Sequence, residues 1–337
     1  MRGSITSVTA LEDCVGAAPA VVNLKVIDHL DAGALRWLAA SPLVFAGFGE
    51  GPRLALTLGG GAPGFAGGEA HELRLPLALL DDPTLARPGR SFGALFLLPG
   101  VCETLRVNGR VTQADQGELR VAVEECFGHC AKALLRSDFW KAAPVEAPLR
   151  DPEALVATSR FMALATVDAH GRMDLSPRGD PAGALTRLDE GRLWFADRPG
   201  NRRVDSFRNI LAQPQVAALL LVPGSPHVAH LSGRAWLTTD DAVRARFVVQ
   251  DKTPTLAIGV DEPRLEPRES PALVRARLWP APARPEGLEP SQIFVEHVKL
   301  NSDKGLGARL ASAALSVPGV TGLLRKGLEK DYKTNLY

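Results

Sequence analysis

The sequence predicts a mainly β protein with a few short helices, built as two small barrels packed together within one chain. Three observations carry that expectation. The chain repeats itself: "FLLPGVCETLRVNGRV" (96–111) resembles "LLVPGSPHVAHLSGRA" (220–235), "ALLRSDFW" (133–140) matches "ALVRARLW" (272–279), and "LVFAGF" (43–48) can be laid on "FMALAT" (161–166). The matches occur in the same order in both halves, which is the mark of a duplicated domain. The apolar residues fall in short runs bounded by Gly, Pro and Asp. Finally, 26 prolines and 32 glycines among 337 residues supply many turns, which suits short strands better than a helical bundle.

Composition narrows the class. Hydrophobic residues make up 45% and charged residues 23%, a globular rather than a disordered balance. A net charge of +1, from 39 basic and 38 acidic residues, gives no global pull toward nucleic acid or membrane, so any anion site must be local. No stretch approaches the roughly 20 apolar residues of a membrane helix, and "MRGSITSVTALEDCVG" lacks the apolar core of a secretory signal. Cys14, Cys102, Cys126 and Cys130 form no disulfide framework in a chain of this length. The expected location is cytoplasmic, with neither nucleic acid nor membrane as partner.

In chain order, strands are expected at 161–168, 191–197, 215–222 and 229–239. "RRVDSFRNILAQ" (202–213) places Val204, Phe207, Ile210 and Leu211 at three- and four-residue spacing, so it reads as a helix stopped by Pro214. "EECFGHCAKALLRSDFW" (124–140) also reads as a helix, with His129, Lys132 and Arg136 on one face. The Pro/Ala-rich stretch 141–155 reads as the join between the copies. In the last 36 residues, paired helices broken at Pro318-Gly319 are expected, ending in the basic cluster Arg325, Lys326, Lys330 and Lys333. They would pack over the barrels or form a lid.

"DRPGNRRVDSFRNIL" (197–211) crowds Arg198, Arg202 and Arg203 around a Pro-Gly turn that feeds a helix. Free backbone N–H groups, the positive end of a helix dipole and guanidinium forks would seat a phosphate. The alternative is a solvated basic turn capping an ordinary helix.

The run "ATVDAHGRMDLSPRGDP…RLWFADRPGNRRVDSFRNILAQPQVAALLLVPG…LSGRAWL" resembles the FMN-binding split-barrel family related to pyridoxamine 5'-phosphate oxidase, well over roughly residues 158–240 and more weakly over 43–140. The resemblance implies two split β-barrel domains forming an intrachain pseudo-dimer, with flavin bound between them. It also implies phosphate-binding roles for Ser176 and Arg178 of "SPRGDP" and for Asn201, Arg202 and Arg203 of "PGNRR". FMN's dianionic phosphate needs such charge-assisted donors, and its ring needs an apolar slot.

The two copies depart from the family pattern in opposite ways. Copy one has no clear counterpart of "RPGNRR" and no obvious helix after it. It keeps "FGHCAKALLRS", where copy two has Arg268, Pro271 and Arg275, and Pro271 would spoil a regular helix. One composite site per chain follows, with His129 and Lys132 contributed by copy one. The expected organisation is an N-terminal extension at 1–34, a degenerate split barrel at 35–140, a linker at 141–154, an FMN-binding split barrel at 155–282 and a helical extension at 283–337.

Cys126, Cys130 and His129 lack a fourth ligand and zinc spacing, so no metal is expected. His227 and His230 stand where the family often has polar groups near the cofactor, or are exposed strand residues. The expected activity is an FMN-dependent oxidoreductase acting on a small molecule, by a monomeric pseudo-dimer or a homodimer. No catalytic side chain is legible, because the flavin would carry the chemistry. The alternatives are a non-catalytic flavin- or haem-binding protein, with His297 as an axial ligand, and a deazaflavin-dependent reductase.

Overall fold

The computed structural model describes residues 3–19, 22–145, 149–200, 202–301, 322, 326–327, 330–332 and 334–337. The first half opens with β1 (Ser4–Ile5), α1 (Val8–Val15) and α2 (Ala32–Ala40). Its sheet contains β2 (Leu43–Glu50), β3 (Arg53–Gly60), β4 (Gly67–Glu69), β5 (Glu72–Pro76), β6 (Ser91–Leu97), β7 (Thr104–Asp115) and β8 (Glu118–His129), followed by α3 (Lys132–Arg136). The second half repeats the plan with α4 (Pro152–Thr158), β9 (Phe161–Val167), β10 (Met173–Gly179), β11 (Thr186–Asp189) and β12 (Arg192–Ala196). Then come α5 (Asp205–Ala212), β13 (Gln215–Leu221), β14 (His227–Thr238), α6 (Asp241–Ala245), β15 (Ala257–Glu269), α7 (Pro271–Ala276) and α8 (Pro290–Leu300).

The two sheets have one strand order: β3-β2-β6-β7-β8-β5-β4 in the first and β10-β9-β13-β14-β15-β12-β11 in the second, with β1 added to β14. Even the irregularities repeat. The Gly-Arg pair of each copy sits at a register shift, between Asn108 and Gly109 in β7 and between Ser232 and Arg234 in β14. A side chain has no room there. A Cβ on Gly109 would lie 2.0 Å from Ala122 O, and one on Gly233 would lie 2.8 Å from Asp261 O.

The doubly apolar runs are explained by the packing. In β2, Val44, Ala46 and Phe48 fill the first barrel, whereas Leu43 and Phe45 face the other half. In β13, Val216, Ala218 and Leu220 fill the second barrel, whereas Ala217, Leu219 and Leu221 face the first. Strands buried on both faces lose the apolar–polar alternation of a half-exposed strand. Phe45 and Phe161 meet across this shared layer with ring centroids 5.4 Å apart.

Several local expectations are corrected. Residues 124–129 are strand, because β8 pairs along β7 as far as His129 opposite Thr104; the α-helix is confined to Lys132–Arg136, with a 3-10 turn at Phe139–Lys141. His129 and Lys132 therefore do not share a helix face. The helix expected from 202 begins at Asp205, since Arg202 and Val204 have positive φ. Pro271 opens α7 rather than spoiling it, at a position where the missing N–H costs nothing. In the first copy, two 3-10 turns, Leu77–Leu79 and Pro83–Leu85, stand where α5 stands in the second. The break at Pro318-Gly319, Arg325 and Lys333 lie outside the described residues. No described helix is long and apolar enough to cross a membrane.

Candidate functional site

A cleft of about 520 Å³ opens between the halves. The second half supplies the end of β10, residues 197–200 and 202–204 and the start of α5; the first supplies Arg106 on β7, the end of β8 and α3. Six of the seven residues singled out from the sequence line it: Ser176, Arg178, Arg202, Arg203, His129 and Lys132. The seventh, Asn201, lies outside the described residues. Among the described lining residues, seven are basic and four acidic.

Period-two geometry puts Ser176 and Arg178 on one face of β10. The Arg178 guanidinium lies 4.6 Å from the centroid of the Phe207 ring, and its Nη1 is 3.2 Å from Asp197 Oδ1. Burial pushes Asp197 up and Arg178 down from their usual ranges. Arg198 pairs with Asp180 at 2.7 Å. Arg203 pairs with Asp205 at 2.5 Å and lies 4.6 Å from the Phe127 ring, which belongs to the first half. Arg202 is exposed and packs against Gly16 at the end of α1. Val204, at φ 45°, is a β-branched residue in the left-handed region, strain of the kind stored at functional sites.

Arg106, which the sequence reading passed over, ties the halves together. It is 1% exposed, donates through Nε to Leu175 O at 2.7 Å and through Nη2 to Ser176 Oγ at 2.8 Å, and pairs with Asp174 at 2.8 Å. Ser176 in turn donates to Asp174 at 2.8 Å, and Ser206 Oγ of α5 lies 2.9 Å from Ser176 Oγ. The available signal was a charged residue between the apolar Leu105 and Val107 of "TLRVNG".

His129 ends β8 at the floor of the cleft, and its Nδ1 is buried with no partner among the described residues. Burial first, then Arg106, Lys25, Arg203 and Arg178, drive its pKa well below the usual 6.5, so the imidazole is neutral near pH 7. Lys132 and Arg136 instead hold the end of the chain. Lys132 Nζ lies 2.9 Å from Asp331 Oδ2 and donates to Asn335 O at 2.8 Å; Arg136 donates to Leu336 O at 2.7 Å. The Tyr337 ring lies 5.4 Å from the Arg136 guanidinium and 5.5 Å from that of Arg198.

The position related by the duplication is lined differently. Where β10 carries Ser176, Arg178 and Gly179, β3 carries Thr57, Gly59 and Gly60 in the same register. Thr57 Oγ accepts from Asp82 N at 2.9 Å, and Asp81 accepts from Ala272 N at 2.7 Å and bonds Ser270. Arg275, the counterpart of Arg136, donates to Gly60 O and Leu79 O. Asp81 and Arg275 thus stand near one another at the duplicate position, whereas the open cleft gathers six arginines. His230 is the counterpart of Arg106 here and faces Arg268 and Asp82; neither it nor His227 lines the open cleft. His297 is fully buried, with Nδ1 3.2 Å from Lys25 O and Nε2 3.2 Å from Asp31 Oδ1, so neither ring nitrogen is left for an axial ligand.

The residues present fit a phosphorylated flavin. Buried Arg178 Nε and Arg198 Nη2 have no partner among the described residues, and such donors call for an acceptor.

Residues 152–274 match the family described as pyridoxamine 5'-phosphate oxidase. No curated protein matches the chain in sequence. Among solved structures, HupZ of group A Streptococcus is 17% identical over 37% of this chain and 98% of its own, with a TM-score of 0.30. A putative pyridoxamine 5'-phosphate oxidase of Lactobacillus delbrueckii is 20% identical over 38% and 98%, with a TM-score of 0.26. HutZ, the haem storage protein of Vibrio cholerae, is 15% identical over 36% and 93%, also at 0.26. The family match spans residues 152–274, a little over a third of the chain, and the first half of the chain repeats the strand order of the second.

Proposed function

We propose that the cleft binds one FMN per chain and that the protein is a flavin-dependent oxidoreductase acting on a small molecule. The observation that carries this reading is the asymmetry of the duplicated site: one copy of the cleft gathers arginines, with buried donors of Arg178 and Arg198 unpartnered among the described residues, and the other holds Asp81. Arg178, Arg202 and Arg203 would hold the phosphate through charge-assisted bonds. Bound FMN would supply two-electron redox chemistry. The protein's part is to hold the phosphate arm, to keep water from the buried floor, and to present His129 there as a neutral imidazole able to accept or donate one hydrogen bond. Both His297 nitrogens are engaged, which removes that histidine as an axial ligand to haem.

Titrating apoprotein with FMN while following flavin fluorescence tests the proposal. Saturation at one FMN per chain, with an oxidised-flavin absorption spectrum, is expected. A stoichiometry of two, or no uptake, overturns it.

A further inference from the structure

A second cavity, of about 260 Å³, adjoins the cleft and meets it at His129, Cys130 and Lys132. Its walls are mostly apolar: Trp37, Leu105, Ile293 and Phe294, with Val22 and Pro290 at the edge. Val22, α8 and Tyr332 belong to segments outside the repeated barrels.

One charge in this chamber has no counter-ion among the described residues. Lys25 is 6% exposed, yet the only hydrogen bond its ammonium makes to a described residue goes to Gly128 O, at 2.7 Å. The centroid of the Phe127 ring lies 5.4 Å from the ammonium. An ammonium carries three donors, and burying one without an anion is costly. Burial lowers Lys25 to a pKa of about 8, which leaves it largely charged at neutral pH. The other charged groups of the chamber are accounted for. Lys132 and Asp331 pair with each other, and Glu103 receives the Tyr332 hydroxyl at 3.4 Å while burial shifts it toward its neutral form.

We propose that this chamber binds a small, mostly apolar organic anion, an aromatic carboxylate in character, whose acid group meets Lys25. The apolar walls take the ring and the ammonium takes the charge. This is the usual make-up of a small-molecule pocket, where a few placed polar groups fix orientation. Because the chamber borders the cleft, its occupant would be the substrate of the flavin. That assignment rests on the FMN reading; the binding site itself does not.

The test is calorimetric titration of the full chain with 1-naphthoate, neutral 1-naphthalenemethanol and cationic 1-naphthylmethylammonium, with FMN uptake followed separately by fluorescence. Naphthoate is expected to bind once per chain and about tenfold or more tighter than the alcohol. Lys25→Met should erase that preference without weakening the alcohol, Lys25→Arg should keep it, and Leu105→Trp should abolish both. Lys25→Met should also fold at least as stably as the parent, because it removes an unpaired buried charge. Undiminished naphthoate binding by Lys25→Met, tightest binding of the ammonium, or binding of no probe overturns the proposal. Naphthoate binding without FMN uptake overturns only the flavin reading.

Discussion

Arg106 of the first half reaches Asp174 of the second at 2.8 Å, with the arginine 1% and the aspartate 7% exposed. The pair lies under the open cleft and fixes Ser176 between them. The duplicate of this position joins His230 to a different neighbourhood, so the two sites that began as equals now differ in their foundations as well as in their lining.

Arg106→Met should destabilise the protein by about 3–5 kcal/mol, since it leaves a buried carboxylate uncompensated. Arg106→Met combined with Asp174→Leu should recover most of that loss. Urea denaturation of the two variants measures it; equal stability of the single variant and the parent would contradict the role given to the pair.

Replacing Arg202 and Arg203 together with Ala should weaken FMN binding by at least ~100-fold, at about 1.5–3 kcal/mol for each charge-assisted bond. The single variants should differ in stability. Arg202 is exposed, so its loss should leave Tm unchanged, whereas Arg203 packs on Phe127 and pairs with Asp205, so its loss should lower Tm. FMN affinity that survives the double replacement would reduce the loop to a solvated turn.

Deleting residues 331–337 releases Lys132 and Arg136 from Asp331, Asn335 and Leu336. The freed cations should strengthen phosphate binding about fivefold, equivalent to roughly 1 kcal/mol. Titration with inorganic phosphate reads this directly. A loss of affinity would mean that the tail closes over the anion instead of competing with it.

His230 is held down to about pH 4, by burial first and then by Arg268. Its folded pKa lies below the unfolded value near 6.5, so the unfolded chain binds the extra proton. The stability this histidine contributes is therefore full above pH 6.5 and is lost as pH falls toward 4. His129 acts in the same sense, while Asp180 and Asp197, raised by burial, act in the opposite one. Subtraction isolates the histidine. Relative to the parent, His230→Gln should gain roughly 2 kcal/mol between pH 7 and pH 4.5. Parallel pH profiles in urea unfolding would refute the assignment.

Gly179→Ala places a Cβ 1.9 Å from Ala133 O, where backbone meets backbone between the halves. About 1–3 kcal/mol of overpacking is expected, together with weakened FMN binding, because α3 and β10 must separate. Gly60→Ala, 2.4 Å from Ala272 O at the duplicate contact, should cost similar stability and leave FMN binding intact. Loss of FMN binding in both would remove the distinction between the two sites.

The sequence by itself determined the duplication and the strand-rich class, and it named six residues that line the cleft. Collinear repeats survive as residue identities at constrained places such as Gly109 and Gly233, and "SPRG" and "NRR" carry their charge on the surface of the text. It misjudged 124–129, because "EECFGH" has no local feature that overrides its helical spacing; only pairing with β7 makes it strand. What tertiary structure alone decided is which groups meet. Arg106 and Asp174 are 68 residues apart and reveal each other only once the two barrels pack. The chain end likewise reaches Lys132 and Arg136 only in the folded molecule, because a contact between distant segments is fixed by the global packing and leaves no mark in either segment's own pattern.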